Sequence, residues 1–245
     1  MSEAVLLQTD RDRVRILTMN RPDKRNALNL ALTRSLVEAL LAADADPSVG
    51  AVVLAGAGAG FCAGADLGEF ATLTPDHAER VAERAALTTR LHGLFRQMAK
   101  PVVCAVQGAA MGGGAGLAIA GDLAVMAEGA KLGYPETRHG IVAAIVMSNL
   151  VRHVGRKAAF EIVALGLSVD APRALALGMV NQVVPADALL ETAVDLATRL
   201  AAVSPPAMAL TKSLFHAVTE LPFDQALEQG RQANERMRGF PRDKR

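Results

Sequence analysis

An α/β fold, with repeating strand–strand–helix units up to about Gly140 and a helical C-terminal part, is what this sequence predicts. Three observations carry the prediction. Short apolar, β-branched runs alternate with helix-period segments; two of these runs lead into glycine-rich turns; and beyond Ile141 the apolar residues recur almost wholly at helical spacing.

Leu6 and Leu7 in residues 4–9, and Val14, Ile16 and Leu17 in residues 14–19, predict two strands around the charged turn Asp10-Arg11-Asp12-Arg13. Residues 20–26 are polar and hold Pro22, so they read as a loop. Leu30, Leu32, Leu36, Val37, Leu40 and Leu41 fall at helical spacing and predict an amphipathic helix ending before Asp46-Pro47. The apolar run 51–55, set between glycines, predicts a buried strand. It passes through Gly56-Ala57-Gly58-Ala59-Gly60 into Phe61-Cys62-Ala63-Gly64-Ala65-Asp66-Leu67. Thr74 as N-cap and Pro75 at the first helical position open a helix that reaches Met98.

From Pro101 to Gly121 no residue is charged, a length that meets the criterion for a membrane span. The same stretch holds a proline, six glycines and a glutamine and is closely bounded by Lys100 and Asp122. A buried strand over 101–107, a glycine turn and a buried helix over 115–120 explain it better. Residues 123–126 and 130–133 predict two further strands separated by Glu128-Gly129. Helices are then expected over 141–153, 156–165, 171–177, 186–202, 206–219 and 223–238, with β-branched residues breaking the pattern in 179–184. Asp170 is the N-cap of one of these helices, and Gly178 follows its end.

Composition limits what the chain can do. At 245 residues it can bury a large core, built from Ala, Val, Leu, Ile and Met because only seven Phe, one Tyr and no Trp are present. A formal net charge of +1 gives no field to steer a polyanion, so nucleic acid is not expected as a partner. Cys62 and Cys104 have no CxxC or Cys/His ligand spacing and the five histidines form no HxxxH pair, so no metal site is expected. The first residues lack a basic stretch followed by an apolar one, and two cysteines suit a reducing compartment, so the cytoplasm is the expected location.

The strongest functional signal is Gly112-Gly113-Gly114, between the 101–107 strand and the small-residue helix. Glycine runs more often mark turns, tight packing or linkers than chemistry. At the start of a helix, however, three glycines expose bare N–H groups that can stabilise a developing negative charge. The triplet gains meaning from its company: Phe61-Cys62-Ala63-Gly64-Ala65-Asp66-Leu67 before it and Tyr134-Pro135-Glu136 after it.

This ordered set resembles the crotonase superfamily, the enoyl-CoA hydratase/isomerase family. The resemblance covers nearly the whole chain, from residues 20–29 through both glycine turns and Glu136 to residues 174–181 and 205–212. It implies a crotonase-like spiral of strand–strand–helix units, with residues 1–190 as the core and 191–245 as a helical trimerisation and lid region.

The resemblance also implies polarisation of an acyl-CoA thioester. Ala65 and Gly113 would donate their backbone N–H groups to the thioester oxygen, and small residues suit both turns because a bulky side chain would keep the thioester away. Glu136 would be the acid/base, a carboxyl that works near neutral pH when part-buried; the bland alternative is a solvated loop carboxylate. Lys24 and Arg25 would meet the phosphates of coenzyme A, and Ala27, Ala63, Asp66 and Leu67 would frame its adenine and pantetheine. Lys212 and Phe215 would complete the pocket from the same or a neighbouring subunit. No prosthetic group is implied, since coenzyme A arrives as part of the substrate; the implied assembly is a homotrimer or a dimer of trimers.

The sequence departs from the family pattern at one telling place. The best-known hydratases carry a first glutamate three residues after the middle oxyanion glycine, and here that position is Gly116. Two readings stand side by side: hydration of a 2-enoyl-CoA with Glu136 as the single carboxylate, and isomerisation of a 3-enoyl-CoA to its 2-enoyl form. A non-catalytic acyl-CoA-binding protein is a third, of another class. Ala144, eight residues past Glu136, stands where dienoyl-CoA isomerases, dehalogenases and hydroxyisobutyryl-CoA hydrolases place an aspartate, which argues against those activities. Cys62 beside the turn reads as packing rather than as a nucleophile, and Asp66 as orienting its turn. Glu69 and Asp76 are near enough in sequence to enter the pocket, whose walls are expected from residues 68–98 and from oligomer contacts.

Overall fold

The central strands follow from uninterrupted apolar sequence. In a computed structural model that describes residues 4–70 and 73–241, β1 (Leu6–Arg11) and β2 (Val14–Met19) form a hairpin, followed by α1 (Leu30–Ala45) and β3 (Ala51–Gly56). Next come α2 (Leu67–Phe70), a 3-10 turn Pro75–His77, α3 (Ala78–Gln97) and β4 (Val102–Val106). The chain continues through β5 (Ala109–Met111), α4 (Gly113–Ala120), β6 (Leu123–Ala127), β7 (Lys131–Gly133) and a 3-10 turn Pro135–His139. The last part holds α5 (Met147–His153), α6 (Arg156–Ala164), β8 (Ser168–Asp170), α7 (Ala171–Ala176), β9 (Gln182–Val184), α8 (Leu189–Ala201), α9 (Pro205–Val218) and α10 (Phe223–Met237).

The main sheet runs β1-β2-β3-β4-β6-β9, parallel from β2 onward, and a smaller sheet runs β5-β7-β8. All five residues of β4, and all of β3 except its last, are buried, as expected of parallel strands covered on both faces. Beyond Leu6, β1 is exposed and carries Gln8, Asp10 and Arg11 on the sheet edge, which discourages pairing with another chain. α8 packs across β2, β3, β4 and β6, α4 lies between β4 and β5, and α9 and α10 pack on each other. Asn29 caps α1 by accepting from the Leu32 N–H at 2.9 Å, a contact worth about 1 kcal/mol. Asp170 caps α7 in the same way, at 3.0 Å from the Arg173 nitrogen. The charge-free stretch is the buried strand β4 and the buried helix α4; among the described residues no helix is long and apolar enough to cross a membrane.

Four local features go beyond or against the sequence reading. Residues 141–146 are irregular, and only Met147–His153 is helical: Gly140 takes a left-handed conformation (φ 70°), the Ile141 N–H turns back to the Glu136 carbonyl, and four β-branched residues disfavour helix. β5 and β8 are three residues each, too short for alternation to reveal them. β7 does not join β6 but crosses to the small sheet, pairing with β5. The Thr74 hydroxyl meets the His77 ring at 3.0 Å rather than a backbone N–H, and a 3-10 turn precedes α3.

Candidate functional site

Two chain reversals converge at one place. The first follows β3: Cys62 bridges Ala110 of β5, and Ala65 bridges Leu28, so residues 61–66 lie between the 20–29 loop and the small sheet. The Leu28 N–H donates to the Gly64 carbonyl at 2.7 Å and the Asp66 N–H to the Leu28 carbonyl at 3.1 Å. In that parallel bridge the N–H of Ala65 points away from Leu28, and it makes no hydrogen bond among the described residues. The second reversal is the glycine triplet. Gly113 opens α4, so its N–H has no acceptor within the helix.

Glycine is demanded where the reversals touch. Gly64 sits at φ +92°, and a Cβ on it would lie 2.6 Å from the Met111 carbonyl oxygen and 3.4 Å from the Gly113 nitrogen. Gly112 sits at φ +51°, and a Cβ there would lie 2.9 Å from Oε1 of Glu136. A Cβ on Gly114 would collide with the Cys62 carbonyl. An oxygen held between the Ala65 and Gly113 nitrogens would thus accept two N–H bonds at a helix start, the arrangement that stabilises an oxyanion.

Glu136 enters from the 3-10 turn after β7 and lies over Gly112. It is half-buried, and Oε2 has no hydrogen-bond partner among the described residues. Burial raises its pKa above 4.5, only partly opposed by its own backbone N–H and by His139. A carboxyl in that state holds its proton to higher pH than a solvated glutamate does, which suits an acid/base.

Ala65, Asp66, Gly113 and Glu136 line one cavity of about 320 Å³. Its walls come from Leu28, from Leu73, from the α3 face Val81, Arg84, Ala85 and Thr88, and from the irregular segment Ile141 to Val146. Residues 68–98 do supply a wall, as expected; Glu69 lines it and Asp76 does not. The second wall, 141–146, was hidden because the sequence reads there as helix. Arg84 was also missed, although the 81, 84, 85, 88 spacing that brings it to the cavity is legible as one helix face.

The absent carboxylate has a steric counterpart. A Cβ on Gly116 would lie 2.7 Å from Val146 Cγ1 and 2.8 Å from His92 Cε1. His92 is 3% exposed, neither ring nitrogen has a partner among the described residues, and burial lowers its pKa to about 4. A neutral imidazole and a valine thus occupy the space beside Gly116.

The 20–29 loop is wired to the first reversal. Buried Asn26 donates to the Ala57 and Gly60 carbonyls at 2.9 and 2.8 Å, and the Ala63 N–H donates to the Arg25 carbonyl at 2.9 Å. Arg21 pairs with Asp66 at 2.8 Å and donates to the Ala27 carbonyl. Burial would raise the Asp66 pKa, but Arg21, the Gly68 N–H and the charge of Lys24 together hold it below 3.8. The structure therefore brings Lys24, Arg25, Ala27, Ala63, Asp66 and Leu67 together beside the Ala65 turn, with the Lys24, Arg25 and Leu67 side chains exposed.

Lys212 and Phe215 lie elsewhere. Lys212 is 5% exposed, and its Nζ donates to Asp122 at 2.7 Å and to the Lys100 carbonyl at 2.8 Å. It lines a separate cavity of about 530 Å³ that shares no residue with the first, and removing one partner of such a buried pair costs about 3–5 kcal/mol. Within one subunit it has no charge free for a phosphate. Phe215 lines the same cavity with its side chain largely exposed. The Cys62 thiol is fully buried and pushed up to about 12, which fits packing and not nucleophilic attack. Among the described residues no cluster of His, Cys, Asp or Glu could hold a metal ion.

Known proteins share this architecture and sequence. The family model described as Enoyl-CoA hydratase/isomerase matches residues 9–242. The 2,3-dehydroadipyl-CoA hydratase of Escherichia coli is 39% identical over 95% of this chain and 89% of its own length. An enoyl-CoA hydratase crystal structure from Mycobacterium smegmatis superposes with a TM-score of 0.93 at 34% identity, covering 98% of this chain and 93% of that one. The Bacillus anthracis enoyl-CoA hydratase structure gives 0.90 at 31% identity over 94% and 90%.

Proposed function

This chain belongs to the enoyl-CoA hydratase/isomerase family, and we propose that it adds water to a 2-enoyl-CoA thioester with Glu136 as its single acid/base. One observation carries the reading: Ala65 and Gly113, whose N–H groups have no partner among the described residues, line the same cavity as the part-buried Glu136. In the proposed reaction the thioester oxygen sits between the two nitrogens. Glu136 takes a proton from water as the water oxygen bonds to C3, and the C2–C3 electron pair moves to the thioester oxygen. The enolate then collapses as Glu136 returns a proton to C2. No prosthetic group enters.

Gly116 favours a second reading. With no room for another carboxylate beside it, a reaction that needs one proton carrier fits equally well: Glu136 takes a proton from C2 of a 3-enoyl-CoA and returns it to C4.

The coenzyme A end of the substrate is assigned to Lys24, Arg25, Ala27, Ala63, Asp66 and Leu67, supported by their grouping beside the Ala65 turn. The assembly is proposed as a trimer or a dimer of trimers working in the cytoplasm, with residues 191–245 at the subunit contacts. Phe215, Phe223 and Leu227, exposed by 62, 75 and 59% on α9 and α10, support that role. The test is to incubate the protein separately with crotonyl-CoA and 3-hexenoyl-CoA and identify the products. A 3-hydroxyacyl product from the first supports hydration, a 2-enoyl product from the second supports isomerisation, and turnover of neither returns the chain to a binding role.

A further inference from the structure

We infer that Arg84 is a positioning residue for the Ala65 donor, acting through the carbonyl of Leu28. The inference rests on the reading of Ala65 as an oxyanion donor.

The N–H of Ala65 shares a rigid peptide plane with the carbonyl of Gly64, and the two groups point in opposite directions. Gly64 is the one residue in that turn at a positive φ, so its own backbone leaves the plane free to rotate; the bond from the Leu28 N–H to the Gly64 carbonyl, 2.7 Å, fixes it. The aim of the Ala65 N–H is therefore set by where Leu28 is held.

Arg84 is the side chain that holds it. From α3, its Nη2 donates to the Leu28 carbonyl at 2.7 Å, and its Nη1 donates to the Thr88 hydroxyl at 2.7 Å. Thr88 in turn donates to the Arg84 carbonyl at 2.9 Å, which anchors the fork to its own helix. Nε lies 3.6 Å from Glu69, whose carboxylate accepts from the Leu30 N–H at 2.9 and 3.1 Å. The guanidinium, 13% exposed, thus ties α3 to both sides of the Leu28 segment at the wall of the cavity. A planar fork reaches Leu28 and Thr88 from two separate nitrogens, whereas a lysine would have to serve both from one.

The experiment uses full-length protein and its Arg84→Met and Arg84→Lys variants, with cinnamoyl-CoA as a bound probe whose absorption moves to longer wavelength when its carbonyl is polarised. Wild-type protein is expected to give that shift. In Arg84→Met the shift shrinks and kcat falls about 10- to 100-fold while KM stays within about threefold, because a misaimed donor weakens the transition state more than the ground state. Arg84→Lys gives an intermediate shift. Retention of the wild-type shift and kcat in Arg84→Met overturns the inference, and so does a raised KM with unchanged kcat, which would make Arg84 a direct substrate contact. If thermal melting shows the Met variant unfolded, a wild-type shift in Arg84→Lys overturns it instead. Absence of the shift in wild-type protein would refute the oxyanion reading itself, a result distinct from either.

Discussion

The backbone nitrogens of Ala65 and Gly113 come from turns far apart in sequence and meet at one cavity, so closely that a Cβ on Gly113 would stand 3.9 Å from the Ala65 nitrogen. That Cβ would also lie 3.1 Å from Cδ1 of Leu28, which lines the same cavity.

Gly113→Ala is consequently a clean probe. Gly113 has no positive φ, so alanine is tolerated by the backbone, and the methyl blocks the approach of the thioester. Turnover is expected to fall about 10²–10³-fold, the effect of losing one oxyanion donor, with the circular dichroism spectrum unchanged.

Burial raises the pKa of Glu136 above 4.5, and two pH effects follow. In its proposed role as base it must be ionised, so kcat/KM is expected to fall as pH drops through an apparent pKa above that ordinary value. For stability the sign is the reverse: a raised folded pKa contributes stability below pH 4.5 that is lost as pH rises through the folded value. Glu136→Gln should therefore melt higher than wild type at neutral pH, with the gain vanishing near pH 4.5, while its kcat drops about 10²–10⁴-fold.

At Gly116 the opposing Val146 and His92 leave no room for a side chain. Gly116→Ala is expected to cost about 1–3 kcal/mol of stability through overpacking, measured by urea unfolding. Gly116→Glu should give no faster hydration than wild type; a rate increase would mean that the space is available after all.

His92 predicts an acid-sensitive stability. Its pKa is about 4 when folded against 6.5 when free, so the unfolded chain takes up the proton first as pH falls. Stability present above pH 6.5 is lost progressively down to about pH 4, by about 3 kcal/mol. His92→Leu should flatten that limb of the pH–stability curve and hold its stability at neutral pH, since it also removes two unpartnered buried nitrogens.

Much of this was legible in the sequence because the relevant signals are local. The apolar runs of β3 and β4, the Asn29 and Asp170 caps and the glycines at both reversals declare themselves within a few residues. What escaped depends on long-range packing. β5 and β8 exist because they pair with β7, not because three residues show a period. The wall at Ile141 to Val146 looks helical until Gly140 and the Ile141–Glu136 bond turn it aside. Lys212 reads in sequence as a residue that completes the pocket, yet Asp122, ninety positions away, claims its charge. Gly116 was legible as a missing carboxylate, but only the fold shows His92 beside it.

The most direct test of the central claim is to run crotonyl-CoA in deuterium oxide with wild-type protein and Glu136→Gln, reading 3-hydroxybutyryl-CoA by mass spectrometry. The account predicts product carrying one deuterium at C2 from wild type and about 10²–10⁴-fold less from the variant. Equal product from both would contradict it, because the proton at C2 would then come from a group other than Glu136.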